Sequence, residues 1–180
     1  AQLNQQEKPI SFLHVLTLLQ KLKQVADHPA LILKDKHYTS YDSGKFNLLR
    51  DLLAESMESN QKVVIFSQYL EMINIIQHHC TAQNIKSITL TGQSRNRGKL
   101  INEFQTNPDI KVFIASLLAG GTGIDLTAAS VVIHYDRWWN PTKENQATDR
   151  VHRSGQHKNV HVFKLITKGT LEEKIDSLIS

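Results

Sequence analysis

Two arginines near the carboxyl end of the chain are the side chains best suited to chemistry on phosphate. Arg150 and Arg153 lie in a segment whose pattern predicts a helix over residues 143–152. Three residues apart, their guanidinium groups would share one face of that helix, and Gln146 would lie on the same face one turn earlier. Paired guanidinium groups can hold a triphosphate and stabilise the charge that develops during phosphoryl transfer. The alternative is surface ion pairing, for instance between Asp149 and Arg153.

A glycine-rich segment is the second candidate. Residues 116–126 read Ser-Leu-Leu-Ala-Gly-Gly-Thr-Gly-Ile-Asp-Leu, directly after an apolar run. Because glycine has no side chain, a phosphate can approach the backbone N–H groups of such a loop closely. Ser116 and Thr122 add hydroxyl donors, and Asp125 could accept a hydrogen bond from a ribose hydroxyl. The alternative is a tight turn from strand to helix that binds no ligand.

Two adjacent tryptophans form the third candidate. Trp138 and Trp139 follow Arg137 immediately after another apolar run. A tryptophan beside a cation can stack on a sugar or a base, or it can pack against backbone. We expect Trp138 to fill the core and Trp139 to make the contact. The alternative is that one ring fills the core while the other covers a helix end.

Other chemistry is disfavoured by the residues present. Residues 92–100 are similar to a phosphate-binding P-loop, but the spacing is one residue too long and Leu100 replaces the magnesium-binding Ser or Thr. We find no other Walker A sequence and no paired acidic Walker B site. The histidines are scattered, so we expect no metal site. Cys80 is predicted on the buried face of its helix, which excludes a Cys–His nucleophile.

The composition fits one folded domain. The chain has 180 residues, 40% of them hydrophobic, a formal net charge of +4 and a single cysteine. These values exclude intrinsic disorder, a disulfide scaffold, collagen and a membrane protein. Lysine and arginine outnumber acidic residues in segments 86–111 and 137–164, which suggests a polyanionic partner such as nucleic acid or nucleotide phosphate. Ordinary solvated cations are the alternative.

The positions of these loops follow from an alternation of predicted elements. Periodicity predicts helices over 12–25, 45–57, 68–83, 96–106, 143–152 and 171–179, and strands over 63–66, 87–90, 112–115, 131–134 and 160–166. Residues 34–44 are polar and predict a linker. Short apolar strands separated by helices indicate an α/β fold with a mostly parallel sheet and helices on both faces. In such sheets, functional residues lie beyond the carboxyl ends of the strands.

The ordered set of segments resembles the C-terminal RecA-like lobe of a SWI/SNF-type ATPase, in helicase superfamily two. The resemblance extends from about Leu16 onward. The matching segments are 16–33, 43–45, 62–68 (motif four), 90–92 with Arg97, 119–126 (motif five), 136–141 (its extension), 146–156 (motif six) and 169–175. It implies a RecA-like three-layer domain over residues 45–180, entered by a helix and linker over 1–44. The Asp-Arg-Trp-Trp-Asn-Pro string resembles prokaryotic members, which favours the bacterial cytoplasm over a eukaryotic nucleus.

The resemblance also implies roles for individual residues. Arg150 and Arg153 would be arginine fingers that reach an ATP held, with Mg²⁺, mainly by an N-terminal lobe of the same polypeptide. Gln146 would orient the same cluster. The nucleotide side of the cleft would include Gly121, Gly123 and Asp125. The contacts to one strand of double-stranded DNA would come from Ser67, Gln68, Thr91, Gly92, Arg97, Ser116 and Trp139. No tightly bound cofactor and no membrane partner are expected for this segment alone.

Some positions depart from the family pattern. The segment between Gly92 and Arg97 is short, and Leu118 stands where many members carry Lys or Arg. Ser154 replaces a common isoleucine, and Asp125 a common asparagine. These departures affect the expected strength of DNA binding rather than the arginine pair. One competing interpretation is a non-catalytic nucleic-acid-binding or protein-interaction module of RecA-like fold. An RNA-directed helicase is another, disfavoured by the ending of motif six.

Overall fold

The structure is a computed structural model that describes residues 12–33, 43–119, 124–153 and 158–179. Within these ranges the helices are α1 (Phe12–Asp27), α2 (Ala30–Leu33), α3 (Gly44–Glu58), α4 (Leu70–Ala82), α5 (Arg97–Thr106), α6 (Pro141–Thr148) and α7 (Leu171–Ile179). The strands are β1 (Val63–Ser67), β2 (Ser87–Leu90), β3 (Val112–Ser116), β4 (Val131–His134) and β5 (His161–Lys164). Most of the predicted linker, residues 34–42, lies outside the described residues.

The five strands form one parallel sheet in the order β2-β3-β1-β4-β5. Ser67 pairs with Ser116, and Phe66 with His134, so the strands end at nearly the same level. The loops that follow β1, β2, β3 and β4 therefore meet along one edge, which we call the carboxyl edge. The predicted α/β fold of RecA-like type, with a parallel sheet, is confirmed.

Each strand contributes to two hydrophobic layers because successive side chains point to opposite faces. Val63 and Ile65 of β1 pack with residues of α3 and α4, such as Leu49. Val64 and Phe66 pack on the other face with residues of α5 and α6, Phe104 among them. This burial on both faces explains why the central strands are almost wholly apolar. It also confirms the prediction of helices on both faces.

The predicted helix over 143–152 is wrong at both ends. The side chain of Asn140 accepts a hydrogen bond from Thr142 N at 3.0 Å, and Pro141 occupies the first turn, so α6 begins earlier. It ends at Thr148, where the chain enters a turn. The premise that Arg150 and Arg153 share a helical face therefore does not hold, because both lie beyond the helix.

Smaller differences have local causes. The helix predicted from Gln68 begins at Leu70, because Gln68 N and Tyr69 N donate to the side chains of Asp136 and Ser67 instead. Leu70, the first residue of α4, is exposed. Strand β5 is shorter than predicted and exposed throughout, as expected at a sheet edge. Among the described residues, no helix is both long and apolar enough to cross a membrane.

Helix α1 packs against α3 and α7 through a polar face. Its inward residues include Lys23, Ala26 and Asp27, all buried. Its apolar residues Leu18 and Leu22 are about half exposed. The periodicity thus predicted the helix correctly, yet these leucines face outward and the buried face carries charge.

Candidate functional site

The segment after α6 carries both arginines, and we call residues 149–153 the arginine turn. Val151 N and His152 N donate to the carbonyl of Thr148 at 2.9 and 3.0 Å, which closes the turn. Arg150 is half-buried and Arg153 is exposed. Among the described residues neither arginine forms an ion pair, and the alternative pairing of Asp149 with Arg153 is not seen.

The arginine turn is joined to residues 124–128, which follow the glycines and which we call the post-glycine loop. Leu126 N donates to the carbonyl of Arg150 at 2.9 Å. Arg153 Nη2 donates to the carbonyl of Ile124 at 3.2 Å. The two segments singled out from the sequence are thus brought together at the carboxyl edge by hydrogen bonds.

A cavity of about 200 Å³ lies beside this junction, beyond the ends of β1 and β3. Its apolar lining includes Phe66 and Leu117, and its polar lining comes from Lys143, Gln146 and Arg150. Gln146 is exposed on α6, two residues before the helix ends. Gln146 and Arg150 thus line one cavity, although no single helical face joins them.

Asp125 is engaged within the post-glycine loop. Its Oδ1 accepts from Thr127 Oγ1 at 2.7 Å and from Thr127 N at 3.1 Å. The hydrogen bond from the Thr127 hydroxyl, helped by Arg153, holds the pKa of Asp125 below its ordinary value, so the carboxylate is ionised. Gly121 and Gly123, the other residues assigned to nucleotide binding, lie outside the described residues.

Gln105 of α5 holds the same loop from the other side. Its Oε1 accepts from Ala128 N at 2.7 Å, and its Nε2 donates to Thr127 Oγ1 at 3.0 Å. Nε2 also lies 3.4 Å from Asp125 Oδ1. Sequence reasoning missed Gln105, because a half-buried glutamine at the end of a helix carries no signal of its own.

The residues assigned to DNA contact lie along the carboxyl edge in the order of the strands. Thr91 and Gly92 follow β2, Ser116 ends β3, Gln68 follows β1 and Trp139 lies beyond β4. Ser67 and Ser116 are buried, whereas Gly92 and Trp139 are exposed. Arg97 is half-buried at the first residue of α5, next to the Thr91 loop.

Two of these residues share a second cavity. Gln68 and Trp139 line a space of about 340 Å³ together with Trp138, Lys23 and other residues of α1. The ammonium group of Lys23 lies 5.7 Å from the centre of the Trp139 ring, within the range of a cation–π contact. The prediction that Trp138 fills the core is wrong, because its side chain is half-buried. The backbone N–H of Trp138 donates to Glu144 Oε1 at 3.0 Å.

The part of the chain that carries this geometry is similar to a known protein domain. Residues 44–155, which include the arginine turn and most of the carboxyl edge, match the model of the helicase conserved C-terminal domain. The chain belongs to that family. Its relatives and structural neighbours are of the SWI2/SNF2 type, and they carry names of ATP-dependent helicases and ATPases.

Three similar proteins illustrate the relationship. YwqA of Bacillus subtilis, named as an ATP-dependent helicase/translocase, is 42% identical over 170 residues, covering 92% of this chain and 18% of its own length. The chromatin-remodeling ATPase INO80 of Neurospora crassa is 45% identical, covering 74% of this chain and 7% of its own. The Sulfolobus solfataricus SWI2/SNF2 ATPase core in complex with double-stranded DNA gives a TM-score of 0.79 at 42% identity, covering 92% of this chain and 35% of that structure. This helicase domain thus spans less than a fifth of those two sequence relatives.

Beneath the Trp139 side of the carboxyl edge, the helicase domain contains a buried charged cluster, consisting of Lys23, Asp27, Lys45, Asp136 and Glu172. Lys45 Nζ donates to Asp27 Oδ1 at 2.9 Å and to Glu172 Oε1 at 2.5 Å. Burial works to lower the pKa of Lys45, but the two carboxylates outweigh it and raise that pKa. The cluster ties α1, α3 and α7 together.

Asp136 links this cluster to the residues after β1. Its Oδ2 accepts from Ser67 Oγ at 2.5 Å, and its Oδ1 accepts from Gln68 N at 3.1 Å. Asp27 Oδ2, by contrast, has no hydrogen-bond partner among the described residues. Burial raises the pKa of both carboxyl groups, most strongly that of Asp27, where Asp136 adds its repulsion.

Arg137 belongs to the basic segment 137–164, but in the structure it pairs with acidic residues of the domain itself. It is buried, its Nε donates to Glu144 Oε1 at 2.8 Å, and its Nη1 contacts Asp176 of α7. Burial favours the neutral form of Glu144, yet hydrogen bonds from Arg137 and Trp138 N lower its pKa below the ordinary value. Arg137 is therefore not available to a polyanion. The local sequence does not predict this pairing, because the acidic partners Glu144 and Asp176 lie 7 and 39 residues away.

Proposed function

We propose that this chain is the C-terminal motor lobe of an ATP-driven translocase on double-stranded DNA. The observation that carries the proposal is the arginine turn, whose two guanidinium groups lack ion-pair partners among the described residues and which is joined to the post-glycine loop at the carboxyl edge. A surface used only for binding has no need of arginines placed beside a cavity of this kind. Phosphoryl transfer does, because charge develops on the transferred group.

The function requires ATP with Mg²⁺, and the donors of this lobe fit one side of such a ligand. Arg150 and Gln146 line the cavity, and Arg153 lies at the adjacent carbonyl of Ile124. ATP supplies the phosphoryl group that is transferred to water. The described residues include no group of His, Cys, Asp or Glu that could hold a metal ion. We therefore assign the Mg²⁺ and most of the nucleotide to the N-terminal lobe.

The carboxyl edge supports contact with one strand of double-stranded DNA. The Sulfolobus relative was solved with double-stranded DNA. In this chain Gln68, Gly92, Arg97 and Trp139 have exposed or half-buried side chains or backbone along that edge. Phosphate contacts of this kind position a protein on a duplex without reading its sequence. Ser67 and Ser116 are buried, so in this proposal the Ser67 hydroxyl holds Asp136, which in turn accepts from Gln68 N, and does not itself contact DNA.

The lobe would carry both the arginine turn, which acts on ATP, and the DNA contacts of the carboxyl edge, and this combination would allow it to act as a motor. Closing of the two lobes on ATP would bring the arginine turn to the phosphates, and opening after hydrolysis would release them. The DNA contacts lie on the same rigid sheet and would move with the arginine turn. The lobe would step along the duplex in this way.

The first test is ATP hydrolysis by the longest native chain that contains these residues. We expect strong stimulation by duplex DNA and weaker stimulation by single-stranded DNA or RNA of equal length. Binding of duplex DNA without hydrolysis under any nucleic acid would contradict the proposal and favour the non-catalytic binding module. Stimulation by RNA above that by duplex DNA would favour an RNA-directed helicase instead.

A further inference from the structure

His134 lies at the carboxyl end of β4 and is completely buried. Its ring stacks on Phe66 of the neighbouring strand β1, with ring centres 5.5 Å apart. Its Nε2 lies 2.9 Å from Thr148 Oγ1, a hydrogen-bond distance.

Thr148 is the residue at which α6 ends and the arginine turn begins. Its side chain is bound by His134, while its carbonyl accepts from Val151 N and His152 N. The side chain of Thr148 is therefore held by the sheet, and its carbonyl group is held by the turn. Arg150 follows two residues later, so the orientation of this junction sets where its guanidinium group points.

The bond between His134 and Thr148 differs in kind from the other attachments of the turn. Arg150 O and Arg153 Nη2 are attached to Leu126 and Ile124, in a loop that itself depends on Gln105. His134 instead belongs to a strand paired on both sides, with β1 and β5. A strand buried in a close-packed core is a rigid reference for the turn.

We propose that His134 is a positioning residue for Arg150, acting through Thr148. By holding the hydroxyl of Thr148, it fixes the end of α6 and the direction in which the arginine turn presents Arg150 to phosphate. Burial lowers the pKa of His134 to about 4, so the imidazole is neutral at neutral pH and pairs with the hydroxyl as an uncharged partner. The proposal rests on the assignment of Arg150 to the ATP site.

The test uses Thr148→Val and Thr148→Ser in the longest native chain, with kcat and KM for ATP measured at saturating duplex DNA. Misplacing a catalytic group by about 1 Å can cost up to ~100-fold in rate, so we expect Thr148→Val to lower kcat by roughly 10- to 100-fold. KM should stay within about twofold, because an arginine that acts in the transition state contributes little to ground-state binding. Thr148→Ser keeps the hydroxyl and should retain wild-type kcat.

A double-mutant cycle separates positioning from a general loss of stability. The Thr148→Val change is also made in an Arg150→Lys protein. Lysine keeps the positive charge but lacks the planar guanidinium group, so we expect this background to retain a measurable rate of ATP hydrolysis. If Thr148 acts through Arg150, Thr148→Val should lower kcat by a much smaller factor in the Arg150→Lys background than in the wild type. Thr106→Val is the matched control, since Thr106 also ends a helix but is exposed and bonds only to its own helix through Asn102 O at 2.8 Å.

The outcomes are distinguishable. A wild-type kcat for Thr148→Val, or an equal fold-loss in both backgrounds, would overturn the positioning role while leaving the proposed function intact. A kcat for Arg150→Lys equal to that of the wild type, or no hydrolysis by the wild-type chain, would instead overturn the proposed function and the positioning role with it.

Discussion

The arginine turn and the buried charged cluster are both built from charged residues of the segments that resemble helicase motifs, yet they are opposite in environment. In the arginine turn, Arg153 is exposed and its guanidinium group donates a hydrogen bond to the carbonyl of Ile124. In the cluster, Lys45 is 6% exposed and held by two carboxylates. The guanidinium group in the arginine turn can therefore bind an anionic ligand, whereas the ammonium group in the cluster is already paired with carboxylates of the protein.

The contrast matters most for residues that look alike in sequence. Arg137 and Arg150 belong to the same basic segment, but Arg137 is buried against Glu144 and Arg150 lines a cavity. Removing a charge from water is costly unless it is paired and hydrogen-bonded, so a buried arginine has its partners already. Burial, rather than residue type, therefore separates the charges that hold the domain together from those that can act on phosphate.

The largest effect is expected from Arg153→Ala in the longest native chain. Arginines that act as fingers contribute ~10³- to 10⁵-fold to kcat, so we expect DNA-stimulated ATP hydrolysis to fall by about 10³-fold or more. Affinity for duplex DNA should be unchanged, because Arg153 is not among the residues assigned to DNA contact and its guanidinium group bonds to the post-glycine loop. Arg50→Ala, at an exposed position of α3, is the control. Loss of DNA affinity with little loss of kcat would place Arg153 on the DNA instead.

The second-largest effect is expected from Lys45→Ala, which should lower the free energy of unfolding. The substitution leaves Asp27 and Glu172 buried without their shared cation, and breaking a buried ion pair in this way costs about 3–5 kcal/mol. Chemical denaturation of the helicase domain measures the effect. Lys86→Ala removes the exposed pair with Asp109 and should cost less than about 1 kcal/mol. Equal costs for the two lysines would refute the distinction between buried and exposed charge.

The pH dependence of unfolding tests the neutral state of His134. Its pKa is about 4 in the folded domain, against an ordinary 6.5, so the unfolded chain binds the extra proton between these values. Stability contributed by His134 is present above pH 6.5 and is lost as the pH falls toward 4, by up to about 3 kcal/mol. His134→Gln should lack this component, so the difference between the two denaturation profiles isolates it. A difference that stays constant from pH 7 to 4 would contradict the neutral, buried assignment.

Gln105→Ala should give the smallest of these effects. It removes hydrogen bonds to Ala128 N and Thr127 Oγ1 at a half-buried position, at a cost of about 1 kcal/mol in unfolding free energy. Gln77→Ala, at an exposed position of α4, should change stability by less. A Gln105→Ala domain as stable as the wild type would show that the post-glycine loop is held by Asp125 and Thr127 alone.

Much of the fold was predictable from periodicity. The apolar runs gave every strand to within about two residues at each end, because buried parallel strands are almost purely hydrophobic. Cys80 is buried as predicted, and burial raises the pKa of its thiol to about 12. The limits of α6 were not predicted: the capping Asn140 decides where the helix begins, and Thr148, where it ends, bonds to the distant strand β4.

The site was predictable in its parts but not in its organisation. Gln146 and Arg150 were singled out from the sequence, and the structure brings them to one cavity. The contacts that organise their surroundings come from Gln105 and His134, which bond to Ala128 and Thr148 across 23 and 14 residues of sequence. Pairings over such separations depend on strand order, and local pattern does not specify strand order. Asp27 and Lys45 were missed for the same reason.

Displacement of a third strand from a duplex tests the central claim most directly. The longest native chain is incubated with duplex DNA that carries a triplex-forming strand, with ATP or with a non-hydrolysable analogue. A translocase on double-stranded DNA should release the third strand with ATP, not with the analogue, and not when Arg153 is replaced by Ala. DNA-stimulated hydrolysis without any release of the third strand would contradict the account, because the lobe would then be part of an ATPase that does not move along DNA.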